Sequence, residues 1–241
     1  MKTLPWIIEK LRGRSVETEV ITRDLIANTY LNGAGIEIGA LHNPLRVPGH
    51  VRVKYVDRMP AEDLRKHYPE LGTHNLVKID VIDDGERLAG FEDQSQDFVI
   101  ANHFLEHSQN PIGVVNNQLR VIKSNGILYL AIPDKRYTFD IDRPVTSFEH
   151  LVRDFEDGPG WSRRQHFEEW VTLVGKTQGI EEIARRTNQL LEIDYSIHYH
   201  VFTASEIMEF FSRLKRYVKY AFETELMFKN NAEVIVILRR V

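Results

Sequence analysis

The sequence predicts an α/β fold: a doubly wound seven-stranded sheet, mostly parallel, with one antiparallel strand near the C-terminus and an inserted helical lid. Three observations carry that expectation. Five short apolar runs between residues 36 and 132 each end on a turn residue or a carboxylate, and helix-length segments separate them. Two further strand-like runs at the C-terminus are joined by too few residues for a parallel crossover, so they must form a hairpin. The composition, 42% hydrophobic and 27% charged in 241 residues, suits one domain spanning 1–241 that buries a sizeable core.

In chain order, residues 1–32 form an N-terminal helical segment. Apolar positions recur at Val16, Val20, Ile21, Leu25 and Ile26 within a helix expected over 5–31, and Asn32-Gly33 breaks it. The apolar runs follow. Ile36–Ile38 leads into Gly39, Val51–Val56 into Asp57, Leu76–Ile79 into Asp80, Phe98–Ala101 into Asn102, and Ile127–Ile132 into Pro133. Between the last two, Ile112, Val115, Leu119 and Ile122 share one helical face that can cover the sheet. Near the C-terminus Thr203 and Glu206 make a capping-box pattern for a helix over Ala204–Leu214. The closing hairpin is expected from Val218–Leu226 and Ala232–Val241, joined by Met227–Asn231.

One stretch exceeds what the alternation needs. Residues 133–217 hold far more than a single crossover helix, with Phe148, Leu151, Phe155, Trp161, Phe167, Trp170 and Leu173 near their middle. These aromatics predict a helical lid over 135–197 with a small core of its own, so the sheet should not need residues 140–190. Acidic residues outnumber basic ones across the stretch, which excludes a polyanion clamp there.

The composition narrows function before any motif is read. The net charge of −4 provides no sequence-wide field for nucleic acid. The absence of cysteine excludes disulfides, iron–sulfur clusters and thiol nucleophiles, and points to a reducing, cytoplasmic setting. The apolar patch Leu4–Ile8 is closed by Glu9 and Lys10, too short for a secretory segment, and there is no charge-free run of 18 apolar residues. A soluble protein with a small-molecule substrate, and no nucleic-acid or membrane partner, is therefore expected.

Ligands of open parallel sheets bind beyond the carboxyl ends of the strands, so the strand-end residues matter most. A carboxylate there can accept two hydrogen bonds from the vicinal hydroxyls of a ribose, and Asp57 is best placed by order, although aspartate also suits a helix cap or turn. Gly39 permits close approach of the backbone to a ligand. The segments GIEIGALHNPL at 35–45, VKYVD at 53–57, VKIDV at 77–81, DFVIANHFLEH at 97–107 and LRVIKSNGILYLAIPD at 119–134 resemble, in this order, class I S-adenosylmethionine-dependent methyltransferases. The resemblance covers 33–134, resumes over 198–241 and leaves the expected lid uncovered. It implies Glu37 and Gly39 beside the methionine end of S-adenosylmethionine, Asp57 at the ribose, Asp80 and Val81 around the adenine, and Asn102 and His103 beside the sulfonium. The family usually places a second glycine where this chain has Leu41, so a non-catalytic cofactor-binding scaffold is one alternative. A nicotinamide-dependent oxidoreductase is another, disfavoured because G-x-G-x-x-G is missing.

Two histidine patterns need separate treatment. His103-Phe-Leu-Glu-His107 matches an inverted zinc-peptidase signature, but Asn110-Pro111 leaves too little helix to align both imidazoles, so no metal is expected there. His198-Tyr-His200 alternates in an extended segment where both rings can face one way. A methyl acceptor that is a hydroxyl or a protonated amine needs a base, and His200, His198 and His103 are the candidates in that order; Glu149, His150 and His166 inside the lid stand behind them. The resulting expectation is methyl transfer to oxygen or nitrogen of a small-molecule or saccharide-like acceptor.

Overall fold

The computed structural model describes residues 21–68 and 72–241. The expected N-terminal helix therefore lies largely outside the described residues. Its described part is α1, Arg23–Tyr30, which begins where the Thr22 hydroxyl accepts the Leu25 N–H at 3.1 Å.

The sheet has seven strands: β1 Ala34–Ile38, β2 Arg52–Asp57, β3 Val81–Ile82, β4 Gln96–Asn102, β5 Ile122–Pro133, β6 Phe222–Asn230 and β7 Glu233–Arg240. Their spatial order is β3-β2-β1-β4-β5-β7-β6. β1 to β5 pair in parallel, while β7 runs antiparallel to both its neighbours, so β7 alone is reversed. The hairpin is tighter than its sequence suggested. β6 continues to Asn230, and Asn231 turns the chain with φ +52, a left-handed conformation that asparagine tolerates better than most residues. The third strand also shifts. Residues 76–79 are not a strand, because Val77 donates to the carbonyl of Leu41 at 2.8 Å rather than to β2. Pairing with β2 begins only after Asp80 closes a two-way link to the Tyr55 backbone, donating to its carbonyl at 2.9 Å and accepting its N–H at 3.0 Å.

Both faces of the sheet are covered, and β4 shows why: Phe98 and Ile100 point to one side, Val99 and Ala101 to the other, and all four are buried. The Val99 side packs with Val115 and Leu119 of α3, Pro111–Val121, and with Phe210 and Phe211 of α7, Ala204–Leu214. The Phe98 side packs with Ile26 and Ala27 of α1. Asn110 caps α3 by accepting the Gly113 N–H, and Pro111 sits at its first turn, where a missing N–H costs nothing. The capping box of α7 forms as expected, with the Thr203 N–H donating to Glu206 at 2.9 Å. The β2–β3 connection carries α2, Ala61–His67.

Between β5 and α7 come α4 (Phe148–Asp157), α5 (Gly160–Glu169), a π-helical turn at Trp170–Val174 and α6 (Ile180–Glu192). Phe167, Ile197 and Tyr199 make a small separate core there. Phe148 and Leu151 of α4 do not belong to it. They are buried in the main core beside the sheet, so the expectation that the sheet can do without residues 140–190 is corrected. The segment returns to the sheet by backbone hydrogen bonds: Thr146 N–H to the Val201 carbonyl, and Tyr199 N–H to the Glu106 carbonyl, both at 2.8 Å.

Candidate active site

A cavity of about 850 Å³ opens beyond the carboxyl ends of β1, β2 and β4. Gly39, Asp57 and Asp84–Arg87 line it from the sheet, while Phe139, Trp170 and Tyr195 line it from the segment after β5. Four of the residues expected from the sequence lie on its wall: Gly39, Asp57, His103 and His198. Glu37, Asp80, Val81, Asn102 and His200 do not.

The loop after β1 explains part of this. Gly39 has φ +65, and an added Cβ would meet only the Phe104 ring, at 3.9 Å, so the backbone is accessible from the cavity. Leu41, which replaces the family's usual second glycine, adopts φ +50 and also lines the cavity. The turn is thus the one a glycine would make, kept at a cost of about 1–2 kcal/mol for a side chain in the left-handed region. Glu37 holds the loop rather than facing a ligand: its buried carboxylate accepts the Leu45 N–H at 2.9 Å. Burial raises its pKa to about 7, against the lowering effect of that hydrogen bond and of Arg23.

Asp57 ends β2 on the cavity wall, nearly buried, with Oδ1 accepting the Arg58 N–H at 2.7 Å. Burial raises its pKa, and the hydrogen bond and charge of Arg58 oppose the rise. Asp80 is spent on Tyr55, and the turn Asp84–Arg87 takes the wall position expected of Asp80 and Val81. Asn102 ends β4 with both amide atoms buried and unpartnered among the described residues.

The histidines separate sharply. His103 sits at φ +51 with Nε2 2.9 Å from Glu233, which also pairs with Arg23, and with Nδ1 3.4 Å from Glu106. Burial works to lower its pKa, but the neighbouring carboxylates of Glu106 and Glu233 outweigh that and raise it to about 9. With Nε2 3.0 Å from the Arg23 guanidinium as well, and its pKa drawn up between two glutamates, His103 is poorly placed to act as a general base. It should titrate near pH 9 in an NMR pH series. Because this value lies above the ordinary 6.5, the histidinium's contribution to stability is complete below pH 6.5 and lost as pH climbs through about 9. Glu233→Gln should pull the titration back toward 6.5; a wild-type value already at 6.5 would show that the carboxylates do not hold the proton.

His200 is buried away from the cavity, its Nε2 3.5 Å from the Gln109 carbonyl and 3.6 Å from Asp154, so it cannot reach a ligand there. Glu149 is exposed and paired with Arg213, and neither His150 nor His166 lines the cavity. His198 does. Its Nδ1 lies 2.6 Å from Oδ2 of buried Asp140, which Arg143 holds from the other side at 2.9 Å. Arg143 also donates to the His198 carbonyl at 2.7 Å, so side chain and backbone are fixed together. A carboxylate on Nδ1 assigns the proton to that nitrogen and leaves the lone pair on Nε2. Nothing local in the sequence marked Asp140, because its partner lies 58 residues away.

Residues 33–130 match the family model of the methyltransferase domain. Over those residues the chain carries a methyltransferase domain. It is an enzyme, and its cofactor is S-adenosylmethionine. No curated protein matches its sequence. Solved structures similar to this methyltransferase include an S-adenosylmethionine-dependent methyltransferase from Aquifex aeolicus, at 11% identity and a TM-score of 0.46, with all of both chains covered. A Thermotoga maritima methyltransferase is 17% identical, with a TM-score of 0.43 over 87% of this chain and 82% of that one. A Rhodobacter sphaeroides protein solved under the name of Zn-dependent alcohol dehydrogenases gives 12% identity and a TM-score of 0.53, over 90% of this chain and 87% of that one. At that identity the last likeness is one of fold. The cavity suits the cofactor: it offers accessible backbone at Gly39, a carboxylate at the end of β2, and a volume within the range of about 300–1,000 Å³ usual for small-molecule sites.

Proposed function

We propose that the enzyme methylates an oxygen or nitrogen of a small-molecule or saccharide-like acceptor held between the sheet and the segment over 135–197, which acts as a lid, and that His198 is the base. The observation that carries this reading is the buried Asp140–His198 pair on the cavity wall. Gly39 would lie along the methionine end of the cofactor, Asp57 at the ribose and the turn Asp84–Arg87 at the adenine, with Glu37 positioning the loop beneath. His103, its pKa raised between Glu106 and Glu233, is an unfavourable neighbour for a sulfonium when protonated, so its role is to shape the wall.

S-adenosylmethionine supplies a methyl group already bonded to a good leaving group. The protein's part is orientation, exclusion of water and the fate of one proton. Nε2 of His198 accepts the acceptor's proton, Asp140 stabilises the imidazolium that results, and Arg143 keeps Asp140 aligned. Phe139, Trp170, Tyr195 and Tyr199 give this end of the cavity aromatic surfaces suited to a ring-shaped acceptor. Among the described residues no helix is long and apolar enough to cross a membrane, and the cysteine-free composition favours a reaction in the cytoplasm.

Calorimetry with S-adenosylmethionine and the Asp57→Ala variant tests the cofactor half. The variant should bind more weakly by about 1.5–3 kcal/mol, the usual loss for hydrogen bonds to a charged group, with melting temperature nearly unchanged. Unchanged affinity would move the ribose elsewhere. Methyl incorporation from labelled S-adenosylmethionine into a panel of hydroxylated and amine metabolites tests the acceptor half. Label appearing only in protein or nucleic acid would refute a small-molecule acceptor.

A further inference from the structure

Glu106 and His107 of the zinc signature gather with His198 as three possible donors, and a second group of side chains elsewhere supplies four. His150 and Asp154 lie four residues apart on one face of α4, His166 lies on α5, and His200 lies on the segment returning to the sheet. One donor atom from each falls within 4.8 Å of all the others. Nε2 of His150 is 3.1 Å from Nε2 of His166 and 3.2 Å from Oδ2 of Asp154, which is 3.6 Å from Nε2 of His200. Four ligands at zinc bond lengths of about 2.0–2.2 Å on a tetrahedron stand about 3.3–3.6 Å apart, close to these three separations. We propose that His150, Asp154, His166 and His200 form a four-coordinate site for a divalent transition metal, with zinc as the best fit.

A second observation points to a missing ligand. Asp154 is fully buried, and its Oδ2 has no hydrogen bond among the described residues. Its other oxygen accepts the Ser162 hydroxyl at 2.8 Å, which fixes the carboxylate with Oδ2 toward the three imidazoles. A buried carboxylate oxygen with no hydrogen bond is costly, and a cation among the four donors would remove the cost. Arg143 does not fill this role, since its guanidinium is engaged by Asp140 and Glu169. Three imidazoles and one carboxylate favour zinc over magnesium or calcium, which prefer all-oxygen shells. Four protein donors complete a tetrahedron and leave no open position, so the site is structural. It would tie α4 and α5 to the returning segment two residues from His198, and so set the wall on which that side chain stands.

The test uses the full chain, purified without a histidine tag. Elemental analysis should find one zinc per chain. Stripping with a chelator should lower the melting temperature, zinc chloride should restore it, and magnesium chloride should not. Cobalt chloride added to the stripped protein should produce the strong visible absorption of tetrahedral Co²⁺. His166→Ala and Asp154→Asn should lose the metal while still binding S-adenosylmethionine. If either fails to fold, the cobalt spectrum of the wild-type chain decides. No bound metal together with no uptake of zinc or cobalt overturns the proposal, as does a full metal equivalent retained by folded His166→Ala.

Discussion

His198→Ala should lower the rate of methyl transfer by about 10²–10⁴, the usual contribution of a positioned general base, with S-adenosylmethionine affinity unchanged. The physical case is that His198 alone among the candidate bases combines a place on the cavity wall with an oriented tautomer. His103 lies on the wall with its pKa raised to about 9 between two carboxylates, and His200 is buried behind the wall. Asp140→Asn should lower kcat with little change in KM, because the amide can present its N–H to Nδ1 and stabilise the wrong tautomer. The double variant should be scarcely slower than His198→Ala, since the two residues act as one unit. Steady-state rates of the three variants, with calorimetry for the cofactor, check this. Normal turnover by His198→Ala would leave catalysis to proximity alone.

Replacing residues 159–192 with a flexible linker should preserve cofactor binding and abolish turnover. The cut removes α5, the π-helical turn and α6, and with them Trp170 and Val174 from the cavity wall. It leaves Gly39, Asp57 and the turn at 84–87 untouched. Extending the cut to 140–190 should instead unfold the chain. That deletion removes Phe148 and Leu151 from the main core, where truncation to alanine alone costs about 3–5 and 2–5 kcal/mol respectively. Their sum is comparable to the whole stability of a typical domain, about 5–15 kcal/mol. Circular dichroism, calorimetry and a methyl-transfer assay on both deletions separate the outcomes. Turnover surviving the shorter cut would show that the acceptor does not bind against these helices.

Local pattern was enough for the strand run from Ile36 to Ile132, the helical face of Ile112, Val115 and Leu119, the capping box at Thr203 and Glu206, and the reversed strand at the end. Each depends on residues close in the chain: alternation, caps, or a linker too short to cross over. The place of Gly39 and Asp57 on the cavity wall was legible for a related reason, since parallel sheets bind ligands where their strands end. The third strand was misplaced because an apolar run at an edge can pair with a loop as readily as with a strand. Here Leu41 took the Val77 N–H.

What only the tertiary structure decided is which side of the His198-Tyr-His200 segment faces the cavity. Alternation places both histidines on one face only in a flat strand, and this segment is not one. Its path is set by distant partners: Arg143 on the carbonyl of His198, Asp140 on its ring, and the Glu106 carbonyl on the N–H of Tyr199. Likewise the cluster of His150, Asp154, His166 and His200 spans 50 residues and exists only because α4, α5 and the returning segment pack together. Short-range sterics and hydrophobic period write the strands and helices into the chain locally. The charge pairs that choose among histidines form between residues with no fixed spacing, and so become readable only when the chain is folded.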